Sequence, residues 1–255
     1  SPALRLLNKL TYELDPSTPF IPTSPLFGMG HGSYRFRYFD GREVFAVMRN
    51  SRCTAYTEFG VPSISNVACL KRIGEQASQF PFVKNPVLTA HHAFAAWGNE
   101  NTWCELDTVT DYFGKSESLE ELVACSQWLQ AEGYRFIYEE ARRQKPYCSM
   151  ALSWCFNEPW PSAANNSIIN YPTSPKLAYD AVKDACRPTL ASAAVEKFLY
   201  QPGENIRIGL WILNDSMEPV PPGRVEVYLR SGKKSEHVEC WSYRGVPAGE
   251  NLKGP

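Results

Sequence analysis

The chain has 255 residues, 44% of them hydrophobic and 13% aromatic, with a formal net charge of −1 at pH 7. That is ample apolar material for a packed core, while the near-neutral balance gives no electrostatic footprint for nucleic acid or an anionic membrane and leaves a small neutral molecule as the expected partner. No run of about 18 apolar residues occurs, so no helix is expected to span a bilayer, and the length suits one barrel-sized domain or two smaller ones.

Residues 2 to 14 place Leu6, Leu7, Leu10 and Leu14 on one helical stripe, which Asp15-Pro16 ends. Phe20-Ile21 is expected as a short strand leading into the Ser24-Pro25 turn. The glycine-rich stretch 27 to 34 lacks the strand-loop-helix setting of a phosphate loop. It reads as a rim loop, with His31 either a substrate ligand or a histidine bonded to backbone.

A helix around Arg42 to Arg49 precedes Cys53-Thr-Ala-Tyr-Thr-Glu-Phe-Gly-Val-Pro-Ser63, an apolar and β-branched run that reaches one carboxylate and breaks at Gly60 and Pro62. A parallel strand buried on both faces reads this way, and in α/β barrels the reacting groups sit where the strand stops. Glu58 is therefore the first catalytic candidate, against the plainer reading of a strand-end salt bridge. Residues 66 to 130 read as more helical, with an amphipathic helix from Leu119 running on through Arg143 and closed by Pro146. The charges from Glu139 to Arg143 read as a solvated helix face with i,i+4 pairs.

A second apolar run, 148 to 161, stops at Trp154, Asn157, Glu158 and Trp160. Delivered to one rim with Glu58, these groups would form a sugar-sized cleft, because aromatic faces stack on sugar C–H surfaces while carboxylates and amides bind hydroxyls. Beyond it, 174 to 187 forms a helix expected to turn Leu177, Ala181, Val182 and Ala185 inward. After Pro188 the pattern alternates, in 196 to 214, 224 to 230 and 236 to 241, as antiparallel strands of a sandwich do. Such a sandwich takes about 100 residues, so the second unit is expected to be incomplete. The eight scattered cysteines form no Cys-x-x-Cys pair and read as mostly free, buried thiols of a reducing compartment.

Several of these stretches resemble glycoside hydrolase family 2, above all its β-mannosidase and exo-β-glucosaminidase branch. Leu14-Asp-Pro-Ser-Thr-Pro-Phe with Thr23-Ser-Pro25 is similar to the family's "Leu-Asp-Pro-Thr-Arg-Pro-Tyr, then Ser-Ser-Pro" segment, and Thr57-Glu-Phe-Gly60 is similar to its "Ser-Glu-Phe-Gly" nucleophile strand. Ser126 to Gly133, Trp154 to Pro161 and Lys176-Leu-Ala-Tyr179 resemble the elements that follow, in the expected order. The resemblance implies an α/β fold: residues 1–190 as later strands and helices of a (β/α)8 TIM barrel, and 191–255 as the opening strands of an immunoglobulin-like β-sandwich.

It also implies a retaining β-glycosidase, with β-mannoside the first-choice substrate and no metal or organic cofactor. Glu58 would be the nucleophile, oriented by a hydroxyl such as that of Tyr56 or one from a facing strand, with His31, Trp154, Asn157, Glu158 and Trp160 shaping the sugar site. Gly98-Asn-Glu100 spells a common acid/base motif of related barrels, but in the family that residue precedes the nucleophile, so the acid/base is expected before Ser1. The open barrel is expected to pair with another copy or with that upstream segment. The alternative is a non-catalytic carbohydrate-binding or scaffold protein built on the same barrel.

Overall fold

The computed structural model describes residues 1–96 and 103–255. Pro2–Leu14 (α1) opens the chain as an amphipathic helix with Pro2 in its first turn, and no residue of it is buried. Met29–Tyr34 (β1), Val44–Ser51 (α2) and Ala55–Gly60 (β2) then form a strand-helix-strand unit. The glycine-rich stretch expected as a rim loop is thus mostly a strand. Its glycines are what let it pair closely: a Cβ on Gly30 would lie 2.9 Å from the Tyr56 ring. Phe20-Ile21, expected as a strand, is irregular backbone.

After the short strand Ser63–Ile64 (β3) come Val67–Ile73 (α3), Pro86–Ala90 (α4) and Leu106–Phe113 (α5). The long helix Leu119–Arg143 (α6) follows, its N-terminus capped by Ser118, whose Oγ accepts from the Glu121 amide at 3.1 Å. Ala151–Ser153 (β4) completes a parallel sheet of order β1-β2-β4, with β2 in the centre. α6 lies across this sheet because Gly133 allows it: a Cβ there would meet Val61 and Phe36 at 3.0 to 3.1 Å. Ala164–Asn165 (β5) pairs with β3, and Ile169–Asn170 (β6) with Ser174–Pro175 (β7), before Leu177–Ala185 (α7) packs on α6. In α7 it is Ala178 and Ala185 that are buried, whereas Leu177, expected inside, is exposed.

The core holds Phe36, Phe45, Phe59, Leu70, Tyr134, Phe136 and Ile137 between sheet and helices. Three parallel strands do not close into a barrel, so the described residues form an open α/β layer in place of a complete eight-stranded one.

After α7, Thr189–Val195 (β8) pairs antiparallel with Ile208–Asn214 (β9). Gly223–Ser231 (β10) and Lys234–Tyr243 (β11) form a separate hairpin, and Asn251–Lys253 (β12) adds to β9. The loop between β8 and β9 sends Phe198 back between α2 and α6, 4.9 Å from the Phe136 ring and 5.1 Å from Phe45. This docking corrects the solvated-face reading of 139 to 143. Glu139 and Glu140 are buried and the Arg143 side chain is 5% exposed, because Ser192 of β8 closes over them and bonds both Glu139 and Arg143. All eight cysteines are free, but only Cys69, Cys104 and Cys148 are buried.

Candidate active site

The carboxyl end of β2 carries Glu58, and the register of the sheet sets His31 of β1 directly opposite it. Three residues further along β1, Tyr34 donates its hydroxyl to Glu58 Oε1. His31 Nε2 lies 3.7 Å from Glu58 Oε2 and 3.4 Å from the Tyr34 hydroxyl. Burial and, next, the bond to the Glu58 carboxylate hold the Tyr34 phenol well above the ordinary tyrosine range. It therefore stays a donor at neutral pH.

The hydroxyl expected to orient Glu58 is thus that of Tyr34, on the facing strand, and Tyr56 has a different task. The Tyr56 side chain is buried and its hydroxyl donates to the Met48 carbonyl at 2.7 Å, beside Ser51 Oγ at 2.6 Å, tying β2 to the end of α2.

Trp154, at the end of β4, reaches the same place. Its ring meets Tyr34 edge-on at 5.5 Å, and Trp103 fills the corner behind, 6.1 Å from Trp154 and 6.4 Å from Tyr34. Gly60 permits the approach of β4: a Cβ there would stand 2.8 Å from the Trp154 carbonyl and 2.6 Å from Asn166. Cys155 follows, its thiol pushed up to about 11 by burial and by the carboxylates of Glu58 and Glu158.

The remaining predicted residues divide. Asn157 is exposed beyond β4 and bridges to Ile169 through backbone. Trp160 is partly exposed and stacks on His91 at 5.1 Å, with His92 edge-on at 5.6 Å, while His91 Nδ1 donates to the Pro161 carbonyl at 2.6 Å.

Glu158 does not face solvent, contrary to the expected sugar contact. It is 2% exposed and accepts from Ser167 Oγ at 2.5 Å, Asn170 Nδ2 at 2.9 Å and the Tyr171 amide at 3.2 Å, with Lys176 Nζ at 3.8 Å. The physical reason is the turn after Pro161, which folds the 164–176 hairpins over it. Burial, the larger effect, pulls the Lys176 ammonium down to about 8, against the attraction of Glu158. Glu100 lies outside the described residues.

Tyr34 and Trp103 were not anticipated. Tyr34 sits in a stretch whose glycines hide a strand, and Trp103 in a loop without periodicity. The only signal for Tyr34 was its spacing from Glu58, long enough for one helical crossover between parallel strands.

No protein-family model matches the sequence. Among curated proteins, β-mannosidase B of Thermothelomyces thermophilus is 30% identical over 99 residues, 37% of this chain and 12% of that protein. Among solved structures, a β-D-mannosidase from Dictyoglomus thermophilum superposes with a TM-score of 0.71 at 20% identity, covering 98% of this chain and 30% of that one. An exo-chitosanase from Amycolatopsis orientalis, solved in complex with PNP-β-D-glucosamine, superposes with a TM-score of 0.65 at 16% identity over 86% of this chain and 26% of its own. The chain spans less than a third of the length of each of these relatives. These similarities support a relationship to the β-mannosidases of glycoside hydrolase family 2.

Proposed function

We propose that this chain carries the nucleophile of a retaining β-glycosidase, with β-mannosides as the first-choice substrates. The observation that supports it most is the carboxylate of Glu58 at a strand end, held by the Tyr34 hydroxyl and walled by Trp154. In this reading Glu58 attacks the anomeric carbon and forms a glycosyl ester, which water later hydrolyses. Tyr34 holds the attacking oxygens in place, and its raised pKa keeps its proton available throughout. Trp154 supplies the face against which the sugar ring lies, with His31, Asn157 and Trp160 on the exposed side of the rim. Glu158 and Tyr56 act as supports of the segments that carry these groups.

The second carboxylate of a retaining enzyme stands about 5–5.5 Å from the nucleophile and protonates the leaving oxygen. We assign that role to no residue of this chain.

The test follows from the division of labour. A 2,4-dinitrophenyl 2-deoxy-2-fluoro-β-D-mannoside needs no protonation of its leaving group, so it reports the nucleophile alone. Mass mapping is expected to find the fluoromannosyl group on Glu58, and none on the Glu58→Gln variant. A label on another residue would remove Glu58 from this role. Faster labelling by the glucosamine-configured reagent would move the substrate assignment to that sugar.

A further inference from the structure

Four hydrogen bonds beside Glu58 bear on which nitrogen of His31 carries the proton. The Thr57 hydroxyl donates to the Gly30 carbonyl at 3.1 Å, which can only accept. A hydroxyl has one proton, so in its bond with Ser24 Oγ the Thr57 oxygen is the acceptor and Ser24 the donor. Ser24 has then spent its own proton. In its remaining bond, at 3.1 Å to His31 Nδ1, Ser24 is the acceptor and the imidazole supplies the hydrogen.

On the other side of the ring, Tyr34 has likewise given its proton to Glu58 Oε1. The groups facing His31 Nε2 are the Tyr34 oxygen at 3.4 Å and Glu58 Oε2 at 3.7 Å, both acceptors, and both stand farther off than Ser24 Oγ does from Nδ1 at 3.1 Å.

We propose that Ser24 and Thr57 are positioning residues that lock neutral His31 as its Nδ1–H tautomer, leaving Nε2 as a bare acceptor beside Glu58. A neutral His31 then gives no hydrogen bond to the carboxylate, and Tyr34 is the side chain that holds it. His31 Nε2 is free to accept from a substrate hydroxyl at the rim. What the acceptor meets rests on the glycosidase reading above; the tautomer does not.

The test is a long-range proton–nitrogen spectrum of the protein labelled with 15N-histidine, recorded about two pH units above the ordinary histidine value of about 6.5. The chain has four histidines, and His31 is assigned by the signal lost in His31→Asn. The expected pattern is a protonated Nδ1 and a bare Nε2.

Ser24→Ala, an exposed loop change, is expected to turn this into a mixture of tautomers. Thr57→Val is expected to reverse it, because the freed Ser24 hydroxyl then donates to Nδ1. His91, whose Nδ1 is held by the Pro161 carbonyl, serves as the internal check that each variant is folded. A protonated Nε2 in the unaltered protein, or a pattern unchanged by Ser24→Ala, would overturn the proposal.

Saturation with methyl β-D-mannopyranoside is expected to move the Nε2 signal and leave Nδ1 in place. Binding that shifts other signals but not Nε2 would overturn the acceptor role. Absence of any binding would count against the glycosidase reading and leave the tautomer result standing.

Discussion

Tyr34 reaches Glu58 from a position the strand register pairs with Gly60, while His31, the direct register partner of Glu58, stays 3.7 Å away. The pairing of β1 with β2 is irregular on either side of His31: Met29, Gly30 and Tyr34 keep one offset to Ala55, Tyr56 and Gly60, and the departure from it sets His31 opposite Glu58. Tyr34→Phe keeps the ring contacts with Trp154 and removes only the donor. A hydrogen bond to a charged group is worth about 1.5–3 kcal/mol, so formation of the fluoromannosyl ester is expected to slow about tenfold or more. Unchanged labelling would show that Tyr34 does not serve the carboxylate.

The same bond sets a pH signature. Tyr34 is held above the ordinary value by burial first and by Glu58 second. Glu58→Gln removes the second cause only, so the phenol is expected to titrate lower than in the unaltered protein and still above a free tyrosine. Ultraviolet phenolate difference spectra, with Tyr34→Phe as the subtraction, read this directly. For stability the sign is that of an acid whose folded pKa is raised. The contribution is complete below about pH 10, the unfolded value, and is lost as the pH rises beyond it.

Glu158 and Lys176 give a second, opposite dependence. Both are sealed from solvent, and Lys176 is lowered from 10.5 to about 8. Between those values the unfolded chain holds more protons than the folded one, so this group makes stability rise with pH from about 8 to 10.5. Lys176→Met is expected to flatten that rise in urea titrations. Because it also strands the Glu158 carboxylate, it should cost about 3–5 kcal/mol overall. Loss of sugar binding without loss of stability would return Glu158 to the rim.

How far the sequence carried this site is visible in these residues. The placement of Glu58 at a strand end was legible because an apolar run breaks at Gly60 and Pro62 just past one carboxylate, and that of Trp154 because a second such run ends in an aromatic. Glu158 was misread, since nothing in Asn157-Glu-Pro-Trp160 tells that the segment from 164 to 176 folds back over it. Arg143 and its two glutamates failed in the same way: a helix face that looks solvated alone is covered by the distant strand β8. In each case the missing information was which distant segment packs on a locally readable element.

Gly60 tests the joint between the two site strands. A Cβ there would stand 2.6 Å from the Asn166 carboxamide carbon and 2.8 Å from the Trp154 carbonyl oxygen, the latter being backbone that cannot swing aside. Gly60→Ala is expected to cost about 1–3 kcal/mol of stability by overpacking. It should also push Trp154 away from Tyr34. Tryptophan near-ultraviolet circular dichroism would report that displacement, and an unaltered spectrum with unaltered stability would refute the close approach.

The association state follows from surfaces the fold leaves open. Along α1, Leu4, Leu6, Leu7 and Leu10 are 39–56% exposed, and Phe27 and Phe39 stand wholly in solvent. Among the described residues β1 and β4 are also the edges of their sheet, with unpaired backbone groups on their outer sides. Contiguous apolar surface of this kind marks an interaction site, so the chain by itself is expected to associate as its concentration rises. Replacing Leu7 and Leu10 together by glutamate should shift sedimentation velocity toward the monomer without altering helix content, because neither side chain contributes to the core. A monomer at every concentration in the unaltered chain would refute this reading of α1.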